Sequence, residues 1–293
     1  MRMDRRQFLS LSAAPLLARE NLADRLGVAC IFGATEGSAR TNLAAARAAG
    51  FRTSQIRFPW EGATPEYLRA LPSWLRAEDL KADVLSAYVN CCDADNVIMN
   101  CRAQDLPRAI DTAGTIGARY LAAWTGGYGK GLLGPDPRNF TTQAEDDICR
   151  FLEPHLKRIE DARLTLALET FITLTCPDAP SMARLLKRLP AAVGAVMDPP
   201  NLTPLARYPQ RDEALREMFS LLKNRVGVVH LKDFRMAASG KGYDMPGPLM
   251  GEMNYPLYIG QIRALPGKPP IIVEHINPPQ FAETRQKLLP LLS

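Results

Sequence analysis

Histidine is scarce in this 293-residue chain: only His155, His230 and His275 are present. A centre needing four or more imidazoles is therefore excluded. The six cysteines, at 30, 91, 92, 101, 149 and 176, include no CxxC pair, which removes a zinc ribbon. Most stand in apolar strand or helix contexts, so we read them as buried free thiols. Long apolar runs are also missing. Stretches such as 164–168 and 271–273 fall far short of the ~18–20 residues a membrane-spanning helix needs, so no stable membrane insertion is expected. The formal charge is +5, but there is no Lys/Arg run, basic stripe or nucleic-acid motif, so no nucleic-acid partner is expected.

What is present is ordinary globular material. With 46% hydrophobic and 23% charged residues the chain has ample apolar content for a core, and disorder is excluded as its dominant state. The opening differs from the rest. Arg5-Arg6-Gln7-Phe8-Leu9 precedes a short, mildly apolar, Ala-rich stretch, as in a twin-arginine export signal. Residues 1–22 are read as that leader, which implies a periplasmic protein; an N-terminal helix plugging the fold, in a cytoplasmic protein, is the alternative.

From residue 25 onward, short β-rich apolar runs alternate with helical stretches, the pattern of parallel βα units. Strands are expected at 26–32, 53–58, 84–90, 119–124, 164–170, 193–198, 226–232 and 270–275. Helices are expected at 39–49, 65–75, 106–116, 145–160, 181–189, 212–222, 255–264 and 280–291, with Gly50 and Gly117 as C-terminal caps. Eight such pairs predict an α/β fold, a single-domain (β/α)8 TIM barrel over residues 23–293. The glycines at 126, 127, 129 and 131 follow the fourth strand without a helix directly after them. A dinucleotide loop is thereby disfavoured, and a mobile lid beside the barrel mouth is expected instead.

In a TIM barrel the chemistry sits at the C-terminal ends of the strands. Four consecutive strands end in a charged or imidazole side chain: Leu168-Glu169, Met197-Asp198, Val229-His230 and Val273-Glu274. Any one acidic residue there is readily explained as a helix cap or surface charge. All four at one depth point to a shared site. Three carboxylates with one imidazole suit a divalent ion, Mn²⁺, Mg²⁺, Co²⁺ or Zn²⁺. Without an ion, so many converging carboxylates would repel and one would stay protonated.

These motifs, with Met197-Asp198-Pro199-Pro200-Asn201-Leu202, Val229-His230-Leu231-Lys232-Asp233 and Gly251-Glu252-Met253-Asn254-Tyr255, resemble the xylose isomerase-like barrel superfamily, in particular its sugar phosphate isomerases/epimerases. The likeness spans residues 25–293. It implies one divalent metal, Mn²⁺ first, held by Glu169, Asp198, His230 and Glu274, with Glu169 and Glu274 as the acid–base pair. It also implies a small carbohydrate substrate and a homo-oligomer, dimers or tetramers being common in the family. An ion on the carbonyl and adjacent hydroxyl of a keto sugar acidifies the neighbouring C–H. Removing that proton gives an enediolate; redelivery gives epimerisation or isomerisation, and a β leaving group would give elimination.

Asn201, Lys232, Arg235 and Trp124 are the candidate substrate contacts. Lys232 and Arg235 have salt bridging as an alternative. Trp60, Trp124 and Phe171 would offer an apolar platform to a sugar face, or pack in the core. The chain departs from the family where Thr170-Phe171-Ile172 follows Glu169, where Arg57 ends the second strand in place of a glutamate, and where Asn90 replaces a frequent histidine. The substrate wall is therefore this chain's own. DNA repair by a trinuclear zinc site is excluded by the histidine count. A second ion at Asp233, a lyase or dehydratase acting on a keto sugar, inosose or keto-glycoside, and a non-catalytic sugar-binding or scaffold barrel remain as alternatives.

Overall fold

The computed structural model describes residues 21–99, 101–131 and 134–293. Eight parallel strands close into a ring. They are β1 (Leu26–Ile31), β2 (Thr53–Arg57), β3 (Lys81–Asn90), β4 (Tyr120–Trp124), β5 (Thr165–Glu169), β6 (Val193–Met197), β7 (Val226–Leu231) and β10 (Ile271–Val273). A short antiparallel hairpin, β8 (Arg235–Met236) with β9 (Tyr243–Asp244), lies between the last two and was not expected. Barrel strands adjacent in sequence are adjacent in the ring, and β10 pairs with β1 to close it, Leu26 opposite Ile271 and Val28 opposite Val273.

One helix follows each barrel strand: α1 (Glu36–Ala48), α2 (Pro65–Ala77), α3 (Leu106–Ile116), α4 (Thr142–Asp161), α5 (Ala179–Lys187), α6 (Arg211–Leu222), α7 (Tyr255–Arg263) and α8 (Phe281–Leu292). Three of them begin two or three residues earlier than hydrophobic periodicity suggests, because the caps lie outside it. Thr35, Thr141 and Asp178 each accept a backbone N–H from the first turn of α1, α4 and α5. Gly50 and Gly117 sit past their helices at φ +88° and +75°, as expected of C-terminal caps.

The core has two layers. Leucines, isoleucines and alanines of the helices pack on the outward strand faces, and a smaller cluster including Val84, Ala122, Ala167, Val196, Val228 and Ile272 fills the barrel. All six cysteines are free; five are buried and Cys149 is half-buried. Among the described residues no helix is long and apolar enough to cross a membrane.

The leader reading falls outside the described residues except at its edge. There, the Asn21 side chain accepts the N–H of Ala23 at 3.1 Å, and Leu22 is fully buried. Leu22, one residue before the expected boundary at 23, thus packs into the core.

Candidate metal centre and active site

Strand side chains alternate between faces, so residues two apart point the same way. Ala167, Val196, Val228 and Ile272 fill the barrel interior, and Glu169, Asp198, His230 and Glu274 come two residues later on the same face. One ligand atom from each of the four lies within 4.8 Å of the others. His230 Nδ1 is 3.2 Å from Asp198 Oδ2, 3.2 Å from Glu274 Oε2 and 3.7 Å from Glu169 Oε1.

A buried hydrogen-bond chain orients these groups. The Tyr88 hydroxyl donates to Glu169 Oε2 at 2.8 Å, so its oxygen accepts from Gln55 Nε2 at 2.9 Å. That fixes the Gln55 amide with Oε1 facing His230 Nε2 at 3.0 Å. His230 therefore carries a proton on Nε2 and turns Nδ1 toward the carboxylates, the arrangement a metal-bound imidazole requires. Asn201 Nδ2 donates to the other Glu169 oxygen, Oε1, at 2.9 Å.

Electrostatics favour a cation at this point. Burial pushes the Glu169 carboxyl up to about 7, against the pull of His230 and with a further push from Glu274. Burial also works against ionised Asp198, but Lys232 and His230 outweigh it and hold that carboxyl down at about 2. Burial disfavours charge on His230 too, yet Glu274 and Glu169 raise it to about 9. Lys232 Nζ sits 2.7 Å from Asp198 Oδ2 and 3.8 Å from Glu274 Oε2. Asp198 Oδ1 is buried with no hydrogen-bond partner among the described residues. An orphaned carboxylate oxygen amid two further carboxylates and an imidazole Nδ1 fits a hard or borderline divalent ion.

The centre adjoins a cavity of about 570 Å³, into which two of its four residues reach. Glu169, Glu274, Asn201, Lys232 and Trp124 all line it, and Trp124 stacks on Tyr88 at 4.8 Å between ring centres. Phe171 lines it too, as the platform reading expects. Trp60 does not. It is fully buried in the outer core against Phe58, its Nε1 donating to the Ser86 carbonyl at 3.1 Å. Arg235 is also absent from the cavity wall, because the hairpin carries it to the surface beside Asp244 at 3.4 Å. Its alternative reading, salt bridging, is the one this geometry fits.

Asp233 is committed to its own loop. Its Oδ1 accepts the N–H groups of Phe234 at 2.8 Å and Met253 at 2.9 Å, and it stands outside the four-residue cluster. The glycine-rich segment after β4 is pinned by carbonyl contacts: Asn90 and Asn96 each donate to Gly127, at 2.8 and 2.9 Å. Gln55, Tyr88, Arg57 and His275 are site residues that the sequence reading did not single out as such. His275 lines the cavity at φ +58°, with Nδ1 2.7 Å from the Met245 carbonyl.

The class of protein follows from fold and site together. The chain belongs to the xylose isomerase-like TIM barrel family, whose model matches residues 43–290. Among solved structures it resembles a D-tagatose 3-epimerase-like protein, with a TM-score of 0.70 and 14% identity over 91% of this chain and 96% of that one. It also resembles a xylose isomerase-like TIM barrel protein from Mycobacterium smegmatis in complex with magnesium, with a TM-score of 0.67 and 18% identity over 88% and 89%. A third likeness is to the IolI protein with a bound zinc atom, with a TM-score of 0.63 and 15% identity over 89% and 94%. At these identities the likenesses establish the fold. No curated protein matches the sequence.

Proposed function

We propose that the protein is a divalent-metal-dependent isomerase or epimerase of a keto sugar or related carbohydrate, acting through an enediolate. The observation that carries this reading is the convergence of ligand atoms of Glu169, Asp198, His230 and Glu274 within 4.8 Å of one another beside the cavity. A divalent ion held there, Mn²⁺ or else Mg²⁺, Co²⁺ or Zn²⁺, supplies stabilisation of negative charge on the substrate's carbonyl and adjacent hydroxyl oxygens.

The chain's own groups do the proton work. Glu169 and Glu274 are the two ligands that also line the cavity, and they enter it from strands separated by β6 and β7. One takes the proton from the carbon beside the carbonyl and the other delivers a proton back. Delivery to the opposite face of the same carbon is epimerisation; delivery to the neighbouring carbon is isomerisation. Tyr88 and Asn201 hold both Glu169 oxygens, so its lone pairs keep a fixed aim. Trp124 and Phe171 wall the cavity with apolar surface that excludes water.

The test is solvent exchange. Mn²⁺-loaded protein incubated with keto sugars in D2O is expected to place deuterium beside the carbonyl, as read by NMR. Glu274→Gln should keep part of the metal affinity and lose the exchange. A metal-loaded protein that exchanges no carbon-bound proton overturns the reading.

A second reading is elimination from a keto-glycoside, favoured by the apolar part of the wall, where Ile31, Met99, Met245 and Ile276 would accept a leaving group. Release of that group during the same assay would assign it. The export of the protein through residues 1–22 is likewise a proposal, resting on the Arg5-Arg6 motif. An unprocessed N-terminus on protein confined to the cytoplasm would remove it.

A further inference from the structure

Arg57 is a charged residue of the cavity wall that the metal centre leaves unused. It is the last residue of β2. Its guanidinium lies 5.9 Å from the centre of the Tyr88 ring, and the hydroxyl of that ring donates to Glu169 at 2.8 Å. Arg57 and Glu169 thus contact the same aromatic side chain. A guanidinium carries five N–H donors in a planar fork. Here one of them reaches the thioether sulfur of Met99 at 3.6 Å, a weak acceptor, and no carboxylate pairs with the group among the described residues.

Charge balance sharpens the point. Lys232, the other strongly basic group on the wall, is held by Asp198 and Glu274. Arg57 has no such partner among the described residues and stands as a positive charge on the cavity wall. A fork of this kind matches a carboxylate or phosphate with two parallel N–H contacts.

We infer that Arg57 is a specificity residue that recognises an anionic group on the substrate, so that the site takes an acidic carbohydrate, a sugar carboxylate or a sugar phosphate. This rests on the proposed sugar-converting reading of the same cavity.

The test uses the Mn²⁺-loaded full chain and three probes on one carbon skeleton: D-sorbitol, D-gluconate and D-sorbitol 6-phosphate. Binding is measured calorimetrically. At least one anionic probe should bind more tightly than D-sorbitol, and whichever is tighter identifies the anion. Arg57→Gln should weaken that probe by about 10- to 100-fold, the loss of a charge-assisted hydrogen bond, while D-sorbitol is unchanged. Arg57→Lys, which keeps the charge without the fork, should retain part of the preference and provides the measurement if the glutamine variant does not fold.

D-Gluconate is also able to ligate the ion directly, so an anion preference that survives in Arg57→Gln belongs to the metal and overturns the inference. So does equal binding of all three probes, or binding of none. Deuterium exchange on the same preparations separates the inference from the proposed reaction. An Arg57-dependent anion preference without exchange keeps the anion site and removes the enediolate chemistry. Exchange with neutral keto sugars and no anion preference does the reverse.

Discussion

At the scale of single residues, the candidate site is held in shape by groups that do not line its cavity. Gln55 is the clearest case, because its amide is the link between the His230 ring and the Tyr88–Glu169 pair. Gln55→Met keeps the volume but removes the acceptor that holds the proton on His230 Nε2. The Mn²⁺ affinity is expected to fall by roughly 10–100-fold, the usual cost of losing the outer partner of a metal-bound histidine. Mn²⁺ titration followed by electron paramagnetic resonance reads this directly. Unchanged affinity would take Gln55 out of the support network. The four candidate ligands were legible as a cluster in the sequence because each stands at the end of an apolar run, which fixes its depth and its face. Gln55 and Tyr88 were not, since they stand inside strands that read as ordinary packing. Their partners lie far along the chain, 175 residues from Gln55 to His230 and 81 from Tyr88 to Glu169, and only closure of the ring brings them together.

Among elements, the connection from β7 to α7 shows how a loop is fastened to a strand end. Asp233 gathers the N–H groups of Phe234 and Met253, while the Phe234 carbonyl accepts the N–H of Glu252 at 2.9 Å. Tyr255 then returns its hydroxyl to the Lys232 carbonyl at 3.1 Å, next to the candidate metal ligands. Gly251 sits in the crook of this loop, where a Cβ would stand 2.5 Å from Asp233 Oδ1 and 2.6 Å from the Phe234 carbonyl oxygen. Both obstacles are themselves tied down. Gly251→Ala is therefore expected to destabilise the protein by about 1–3 kcal/mol, as overpacking does, seen as a lower urea midpoint at unchanged slope. An unchanged midpoint would mean that the loop gives way freely. The same connection explains why Arg235 lies off the cavity wall. Counting five residues on from His230 presumes a chain that stays at the mouth, and the β8–β9 hairpin instead turns Arg235 outward. Helix starts were misjudged for a related reason: caps are polar and fall outside the apolar period that marks a helix.

For the molecule as a whole, the candidate centre joins four neighbouring strands, β5, β6, β7 and β10, at the open end of the barrel. In the unfolded chain these ligands are scattered, so an ion that binds the set binds the folded state almost exclusively. Binding energy then appears as folding stability. At a Mn²⁺ concentration about 1,000 times its Kd the linkage is worth about 4 kcal/mol. A free-energy change of about 1 kcal/mol moves the melting midpoint of a large domain by roughly 2–4 °C, so a rise of several degrees is expected. The folded apo site also carries an opposing term that the ion removes, namely the buried Asp198 Oδ1 with no hydrogen-bond partner among the described residues. The rise should reverse with chelator and disappear in Glu169→Ala, which deletes a ligand without touching the outer core. Differential scanning calorimetry with and without Mn²⁺ measures both. A midpoint that ignores the ion in the native chain, or that still rises in Glu169→Ala, would separate metal binding from these four side chains and leave their convergence without a function.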